Sequence, residues 1–139
     1  MVKTQTLEIK TQGNCHIINI TDKVQDAIVK SEINDGIVCV FNIGSTASIS
    51  TIEFEPGLAE HDIEAALEKI APQNAHYEHE KMWHDDNGHA HVRATLVGPS
   101  ISIPIKTGKM TLGTWQQIII MDFDTKARNR KVVCQILGE

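Results

Sequence analysis

Five of the seven histidines of this 139-residue chain lie between residues 76 and 91, around an Asp-Asp-Asn-Gly turn. Two of them, His89 and His91, are two positions apart at the start of the run HAHVRATLV. Because side chains alternate between faces along an extended strand, both imidazoles would point to one face of a sheet if this run is a strand. Two histidines on one face form half of a metal site or one end of an acid/base site.

A zinc ion takes three or four nitrogen, sulfur or oxygen ligands, and neutral histidine is a common one. We therefore predict that His79, His89 and His91 bind a divalent metal, with zinc the best candidate. Carboxylates that could bind the metal or orient an imidazole are Glu78, Asp85 and Asp86. The alternative is that His89 and His91 are hydrogen-bonded strand residues and the other histidines are solvated in a loop.

Arg93 lies two positions beyond His91 and would share its face in a strand. A cation beside the histidines would suit an anionic substrate, so the candidate catalytic residues are His89, His91 and Arg93. Arg93 could equally form a surface ion pair worth about 0–1 kcal/mol.

A run of small and hydroxyl residues, Ile43 to Ser48, follows an apolar run. Such a composition is typical of places where backbone N–H groups approach an anion, so Ser45 and Thr46 could cradle a phosphate. The run does not match the Walker pattern, and an ordinary connection between two strands has the same composition. By itself the run favours the ordinary connection.

Two acidic and two basic residues surround the last predicted turn, and these are Asp122, Asp124, Arg128 and Arg130. They indicate either an ion-pair cluster between two strands or a subunit contact.

Eight runs have the alternation or the apolar, β-branched character of strands, namely residues 3–10, 15–20, 36–41, 49–55, 89–97, 100–106, 115–123 and 131–137. Helical spacing follows a Thr21-Asp22 N-cap and recurs over 58–70. The run at 36–41 is nearly all apolar, which predicts a central strand buried on both faces. We predict one α+β domain over residues 1–139, with a largely antiparallel sheet of about eight strands and two helices.

A formal net charge of -5 argues against binding to nucleic acid or to an acidic membrane, because phosphate neutralisation needs a basic face. The chain has no run of 18 apolar residues, and its first ten residues alternate where a signal peptide would be apolar. These features predict a cytoplasmic protein whose anionic ligands are held locally.

A set of distinctive short segments, distributed over nearly the whole chain, matches the pattern of a known family. They are Gly44-Ser45-Thr46-Ala47, Glu53-Phe54-Glu55-Pro56-Gly57-Leu58, Tyr77-x-His79, Asn87-Gly88-His89-Ala90-His91, Gly98-Pro99-Ser100, Pro104 with Gly108, Leu112-Gly113-Thr114-Trp115-Gln116, and Asp124 with Arg128-x-Arg130. In this order they resemble the YjbQ family, which has been linked to a secondary thiamine-phosphate synthase activity. Many members carry a histidine where this chain has Gly44.

The resemblance implies a compact α+β subunit that assembles as a homotrimer, with a histidine pocket near the subunit contacts. It also implies a metal or phosphate ligand in that pocket. Carried over by position, the implied site is His79, His89 and His91, with Asn87, Ser100 and the Ser45-Thr46 turn nearby.

The predicted function is a small cytoplasmic enzyme that acts on a phosphorylated small molecule, with thiamine-phosphate synthesis as the named reaction. Arg93, a bound cation or the Ser45-Thr46 backbone would stabilise a departing diphosphate. Without a metal, His89 or His91 would act as an acid or base. The alternatives are a non-catalytic metal- or anion-binding homotrimer and a hydrolase that uses a metal-bound water.

Overall fold

The computed structural model describes residues 1–139 and contains eight strands. Their bounds are β1 Val2–Thr11, β2 His16–Asn19, β3 Gly36–Ile43, β4 Ala47–Glu53, β5 Ser100–Lys106, β6 Lys109–Met110, β7 Gln116–Asp122 and β8 Arg128–Gly138. The strands form a five-stranded sheet in the order β1-β8-β3-β5-β6 and a three-stranded sheet in the order β2-β7-β4. Every pair of neighbours is antiparallel.

Four α-helices accompany the sheets, and their bounds are α1 Thr21–Ser31, α2 Ile63–Ile70, α3 Glu78–Trp83 and α4 Gly88–Val97. A π-helical turn at Leu58–Asp62 leads into α2. The predicted α+β domain with antiparallel pairing is confirmed, but the eight strands are divided between two sheets and there are four helices where two were predicted. None of these helices is both long and apolar enough to cross a bilayer.

The largest difference from the sequence prediction is at residues 89–97, which belong to helix α4 and not to a strand. Ala90 and Ala94, four positions apart, bury one side of this helix against the three-stranded sheet. The Asn-Gly and Gly-Pro pairs on either side of the run mark the ends of the helix. Residues two apart on a helix are separated by about 200°. His89 and His91 therefore do not share a face.

Two hydrophobic clusters hold three layers together. The first fills the space between the two sheets and is closed by α1, with Val40, Ile120 and Ile28 among its members. The second lies between the other face of the three-stranded sheet and the helices, where Phe123 packs with Leu67 and Ala90. Burying each large aliphatic side chain contributes about 1.5–3 kcal/mol. Helix α4 is thus fixed by its buried side, which leaves its opposite side available for a site.

The outward face of the five-stranded sheet carries an exposed apolar row along β3. The prediction that β3 is buried on both faces is wrong for this face, because Ile37, Phe41 and Ile43 are 40%, 42% and 53% exposed. On the inward face, Val38 and Val40 are fully buried. Strand β3 is nevertheless internal to its sheet, between β8 and β5. A nearly continuous apolar run here reflects one buried face and one uncovered apolar face.

Strand β8 lies between β1 and β3, so segments from both ends of the chain are neighbours in the sheet. The β1–β8 pairing runs from Val2 opposite Leu137 to Thr11 opposite Arg128. At the latter end the space between the sheets is polar, and the Thr11 hydroxyl donates a hydrogen bond to the Asp122 carboxylate of β7. The candidate site is built at this polar end.

Candidate functional site

Asp124 is the centre of the polar network at this end of the sheets. Its side chain is 3% exposed, and Oδ1 accepts hydrogen bonds from the Thr125 backbone N–H at 2.8 Å and from Nδ2 of Asn87 at 3.3 Å. Oδ2 accepts from Oγ1 of Thr46 at 2.9 Å and from Nη2 of Arg128 at 3.0 Å. Burial alone would raise the pKa of Asp124, but these hydrogen bonds and the Arg128 charge hold it below its usual value. The carboxylate is therefore ionised at neutral pH.

A second ion pair, between Arg130 and Asp122, lies deeper in the molecule. Arg130 donates from Nε to Oδ2 of Asp122 at 2.7 Å and from Nη2 to Oδ1 at 2.8 Å. The same Nη2 donates to Oγ1 of Thr46 at 2.7 Å, so Thr46 joins the two acidic side chains. The sequence left two interpretations of these charged residues, an ion-pair cluster between two strands or a subunit contact. Within one chain they form the ion-pair cluster, with Asp122 at the end of β7 and Arg130 in β8.

Asn87 connects Asp124 to the histidines. Its side chain is buried at the start of α4, and its Oδ1 lies 3.1 Å from Nε2 of His79 in α3. The Asn87 side chain makes no capping bond to its own helix, because both ends of the amide are used in these two contacts. Asn87 thereby sets the position of His79 relative to Asp124.

His79 and His91 form a pair, with ring centroids 4.3 Å apart and planes tilted by 49°. Both rings are half-buried. Burial lowers the pKa of His91, the His79 ring lowers it further, and Asp124 and Asp85 oppose this shift. His91 is therefore neutral at pH 7 and has ring nitrogens that can accept or donate a proton.

The predicted metal triad is not assembled within the chain. His89 lies on the opposite side of α4 from His91, with its ring centroid 6.5 Å from that of Tyr77, so only His79 and His91 come together. No three histidine, cysteine or carboxylate side chains converge in an arrangement that would hold a metal ion. Two imidazoles can provide half of a zinc site, and the remaining ligands would have to come from outside this chain.

Arg93, predicted to be a catalytic residue, points away from the histidine pair. It is four positions after His89 and shares its buried side of α4, where its side chain is 2% exposed. Nε donates to the Ala71 carbonyl at 2.9 Å, and Nη2 donates to Oε2 of Glu68 at 2.6 Å. In the predicted strand, Arg93 would have been on the same face as His91. In the helix, its side chain points instead toward α2.

His89 is also buried in this region, at 2% exposure, and its Nδ1 has no hydrogen-bond partner. Burial lowers the pKa of His89, and the charge of Arg93 lowers it further, against the opposing charges of Glu68, Glu80 and Asp86. The folded state therefore favours the neutral ring, which packs as a core residue.

We expect acid to destabilise the fold through His89. Because its folded-state pKa lies below the ordinary 6.5, its contribution is fully present above pH 6.5 and is lost as the pH falls below that value. In His89→Leu, the free energy of unfolding measured in urea should fall less steeply between pH 6.5 and 5 than in the wild type. The exposed His84→Asn change should leave the wild-type slope, and equal slopes in His89→Leu and wild type would contradict the prediction.

Two adjoining grooves lead from the histidine pair to the turn between β3 and β4. A groove of 220 Å³ is lined by His91, Val92, Thr95 and Leu96. A groove of 290 Å³ is lined by Phe41, Gly44, Ser45, Ala47, Ala94, Thr95 and Pro99, so the two share Thr95. No carboxylate lines either groove. An anion could therefore lie between His91 and the turn without direct repulsion.

The turn itself supports part of the predicted cradle. Ser45 is exposed in the groove, whereas Thr46 is buried and its hydroxyl is used by Asp124 and Arg130. Gly44 has φ +136°, and a Cβ added to it would lie 3.0 Å from Nη1 of Arg130. The absence of a side chain there leaves room beside a guanidinium group. Ser100 begins β5 next to the groove residue Pro99, but it makes no side-chain hydrogen bond to the network.

A wider cleft of 590 Å³ does not include the histidine pair in its lining, which contains Glu80, Asp85 and Asp86. Glu80 and Asp86 are already bonded, to the Gly88 N–H at 2.9 Å and the Thr125 hydroxyl at 2.8 Å. Three carboxylates on one wall disfavour an anion by direct repulsion. The grooves beside His91 are better suited to a phosphorylated ligand than this larger cleft.

Comparisons with known proteins agree with this fold. The sequence model described as "UPF0047 protein YjbQ-like" matches residues 5–139, so the chain belongs to the YjbQ (UPF0047) family. A UPF0047 protein of Archaeoglobus fulgidus is 39% identical over 131 residues, covering 94% of this chain and 98% of that protein. One of Methanothermobacter thermautotrophicus is 38% identical over 138 residues, covering 99% and 94%.

Solved structures give the same result. The crystal structure of a hypothetical protein from Aeropyrum pernix K1 has a TM-score of 0.91 and 31% identity, with 99% of each chain covered. A protein from Sulfolobus solfataricus P2, described as YbjQ-like and of unknown function, has a TM-score of 0.89 and 33% identity over 100% of both chains. Membership of the family thus establishes the fold, and it leaves the reaction to be inferred from the site.

Proposed function

We propose that this chain is a small cytoplasmic enzyme that acts on a phosphorylated small molecule. The observation that carries the proposal is the pairing of neutral His91 with His79 at the mouth of a groove without carboxylates, which ends at the Gly44-Ser45 turn. Imidazole nitrogens beside a bound phosphate can accept a proton from a nucleophile or donate a hydrogen bond to a phosphate oxygen. Backbone N–H groups at a turn with positive φ can contact the same anion.

Arg128 supplies the positive charge in this proposal. Its side chain is 45% exposed and is held by Asp124, which also holds Asn87 and thereby His79. The predicted role of Arg93 in stabilising an anion passes to Arg128, because Arg93 is buried against Glu68. A guanidinium that is oriented before the ligand arrives stabilises developing negative charge without further reorganisation.

Thiamine-phosphate synthesis is the specific reaction we propose. The thiazole nitrogen forms a bond to the methylene carbon of the pyrimidine pyrophosphate while the bond from that carbon to the diphosphate oxygen breaks. The electron pair of the broken bond leaves with the diphosphate. Arg128 and the Ser45 turn would stabilise the departing anion, and His91, which lines the groove, would donate a hydrogen bond to a phosphate oxygen.

The alternative from another class is a metal- or anion-binding homotrimer without turnover. The exposed apolar residues beside the grooves support an assembly of identical subunits, since Phe41 and Leu96 are 42% and 60% exposed. A neighbouring copy could then supply a ligand to complete a zinc site with His79 and His91, and a water bound to that zinc would make the protein a hydrolase. The residues of one subunit do not complete such a zinc site.

Turnover assays separate these functions. The purified chain is incubated with the pyrimidine pyrophosphate and the thiazole phosphate, and then with a panel of phosphate esters, with Mg²⁺ or Zn²⁺, and released product is measured. Wild type and the exposed control His84→Asn should turn over a substrate that His91→Asn does not. Turnover that survives His91→Asn would contradict the site. Metal retained by a trimer that turns over nothing would favour the binding function.

A further inference from the structure

We infer that Asp124, acting through Asn87, fixes the proton of His79 on Nε2 and leaves Nδ1 as the free lone pair of the histidine pair. Asp124 and Asn87 are positioning residues in this relay, since neither ring of the pair contacts the carboxylate by a hydrogen bond. Nδ1 could act as a base towards a bound substrate only if the proposed function is correct, whereas the position of the proton on Nε2 does not depend on that function.

The first step concerns the orientation of the Asn87 amide. The two ends of an asparagine amide are distinguished by their partners, and one partner here is a buried carboxylate. Oδ1 of Asp124 accepts from the Thr125 N–H and lies 3.3 Å from the Asn87 amide. If the amide were reversed, its carbonyl oxygen would face this ionised carboxylate, and two acceptors would repel each other in a buried place. The NH₂ group must therefore face Asp124.

The second step concerns His79. With the NH₂ group turned to Asp124, the carbonyl oxygen of Asn87 faces Nε2 of His79 at 3.1 Å. An oxygen that only accepts requires a donor, so Nε2 carries the hydrogen. In a neutral imidazole the other nitrogen then has the lone pair. The hydrogen bond of the His79 ring within the chain is made by Nε2, so Nδ1 can accept a proton or bind a ligand.

The third step concerns why the relay holds. Asp124 is bonded on both oxygens by Thr125, Thr46 and Arg128, and these contacts fix its plane. Asn87 is 5% exposed, so water does not compete for its amide. The ion pair of Asp124 and Arg128 thus sets the orientation of the Asn87 amide, and the amide in turn sets the position of the proton on the His79 ring of α3. Without the carboxylate charge, both orientations of the amide would be allowed.

Nitrogen-15 NMR of the full-length, ligand-free protein tests the inference. In the wild type we expect a single neutral His79 tautomer, with the proton on Nε2, slow exchange of that proton with water and a through-space contact to Asn87. In Asp124→Asn the two amides can reorient together, so the His79 proton should lose its slow exchange and appear on both nitrogens. Thr125→Ala removes a γ-methyl and the hydroxyl bound to Asp86 but keeps the backbone N–H that binds Asp124, so it should leave the His79 signals unchanged.

Backbone spectra confirm that each variant is folded, and Asn87→Ala provides the same test should Asp124→Asn fail to fold. A wild-type proton on Nδ1, or His79 signals that do not change in either variant, would overturn the inference. These measurements need no substrate. A failure of the relay is therefore distinguished from a failure of the proposed enzyme activity, in which turnover is absent while the tautomer is as expected.

Discussion

Replacing Arg130 with methionine should lower the free energy of unfolding by about 3–5 kcal/mol, because it leaves a buried carboxylate without its partner. Asp122 is 0% exposed and receives two hydrogen bonds from Arg130, at 2.7 and 2.8 Å. The Thr11 hydroxyl and the Asp124 N–H remain but carry no full charge. The measurement is guanidinium chloride denaturation at a fixed protein concentration.

Lys106→Met is the matched control, since it also removes a cation from an ion pair. That pair, with Asp35 at 2.8 Å, lies on the surface, where the Lys106 side chain is 75% exposed. Water and salt screen such a pair, so the denaturation midpoint should stay within experimental error. If Arg130→Met shifted the midpoint no more than Lys106→Met does, the buried pair would not be a major source of stability.

Gly88→Ala should both destabilise the protein and separate the histidine pair. A Cβ at position 88 would lie 2.5 Å from Cβ of Tyr77 and 2.7 Å from Oε1 of Glu80. The Tyr77 Cβ is attached directly to the backbone, so the start of α3 must move away from α4. Overpacking of this kind costs about 1–3 kcal/mol. His79 would be displaced with α3, and its contact with Asn87 would be lost.

Denaturation and the NMR signal of the His79 Nε2 proton provide the two measurements for Gly88→Ala. The matched control is Gly113→Ala, because a Cβ there meets nothing nearer than the Gln116 side chain at 3.7 Å. We expect the control to keep both the stability and the His79 signal. A Gly88→Ala protein with wild-type stability and an intact His79 signal would show that α3 adapts without moving the pair.

The sequence patterns predict most of the strands correctly, but they predict a strand for residues 89–97, which form the helix that carries His89 and His91. Strand β5 has the predicted bounds, Ser100–Lys106, because its alternation is free of competing patterns. The run HAHVRATLV satisfies two periods: histidines and arginine recur every second residue, while Ala90 and Ala94 recur at helical spacing. Packing against the three-stranded sheet selects the helix, and propensity alone does not decide between them.

The candidate site was partly predictable for the same reason. His79, His91, Asn87 and Thr46 were all singled out, and the fold brings their side chains into one network. His89 and Arg93 lie outside this network, because the predicted strand that would have put them on the same face as His91 is a helix. The central role of Asp124 could not be read from the sequence, since 37 positions separate it from Asn87 and only the tertiary fold brings the two together.

The position of β8 between β1 and β3 also constrains how the chain can fold as it leaves the ribosome. Until β8 is synthesised, β1 has no partner, and β3 has one exposed edge in addition to its exposed apolar face. Pairing over such a long sequence separation slows folding, and unpaired edges of apolar strands invite association with other nascent chains. Because β8 is the strand that joins β1 to β3, the protein should depend most on protection from aggregation until β8 has been synthesised.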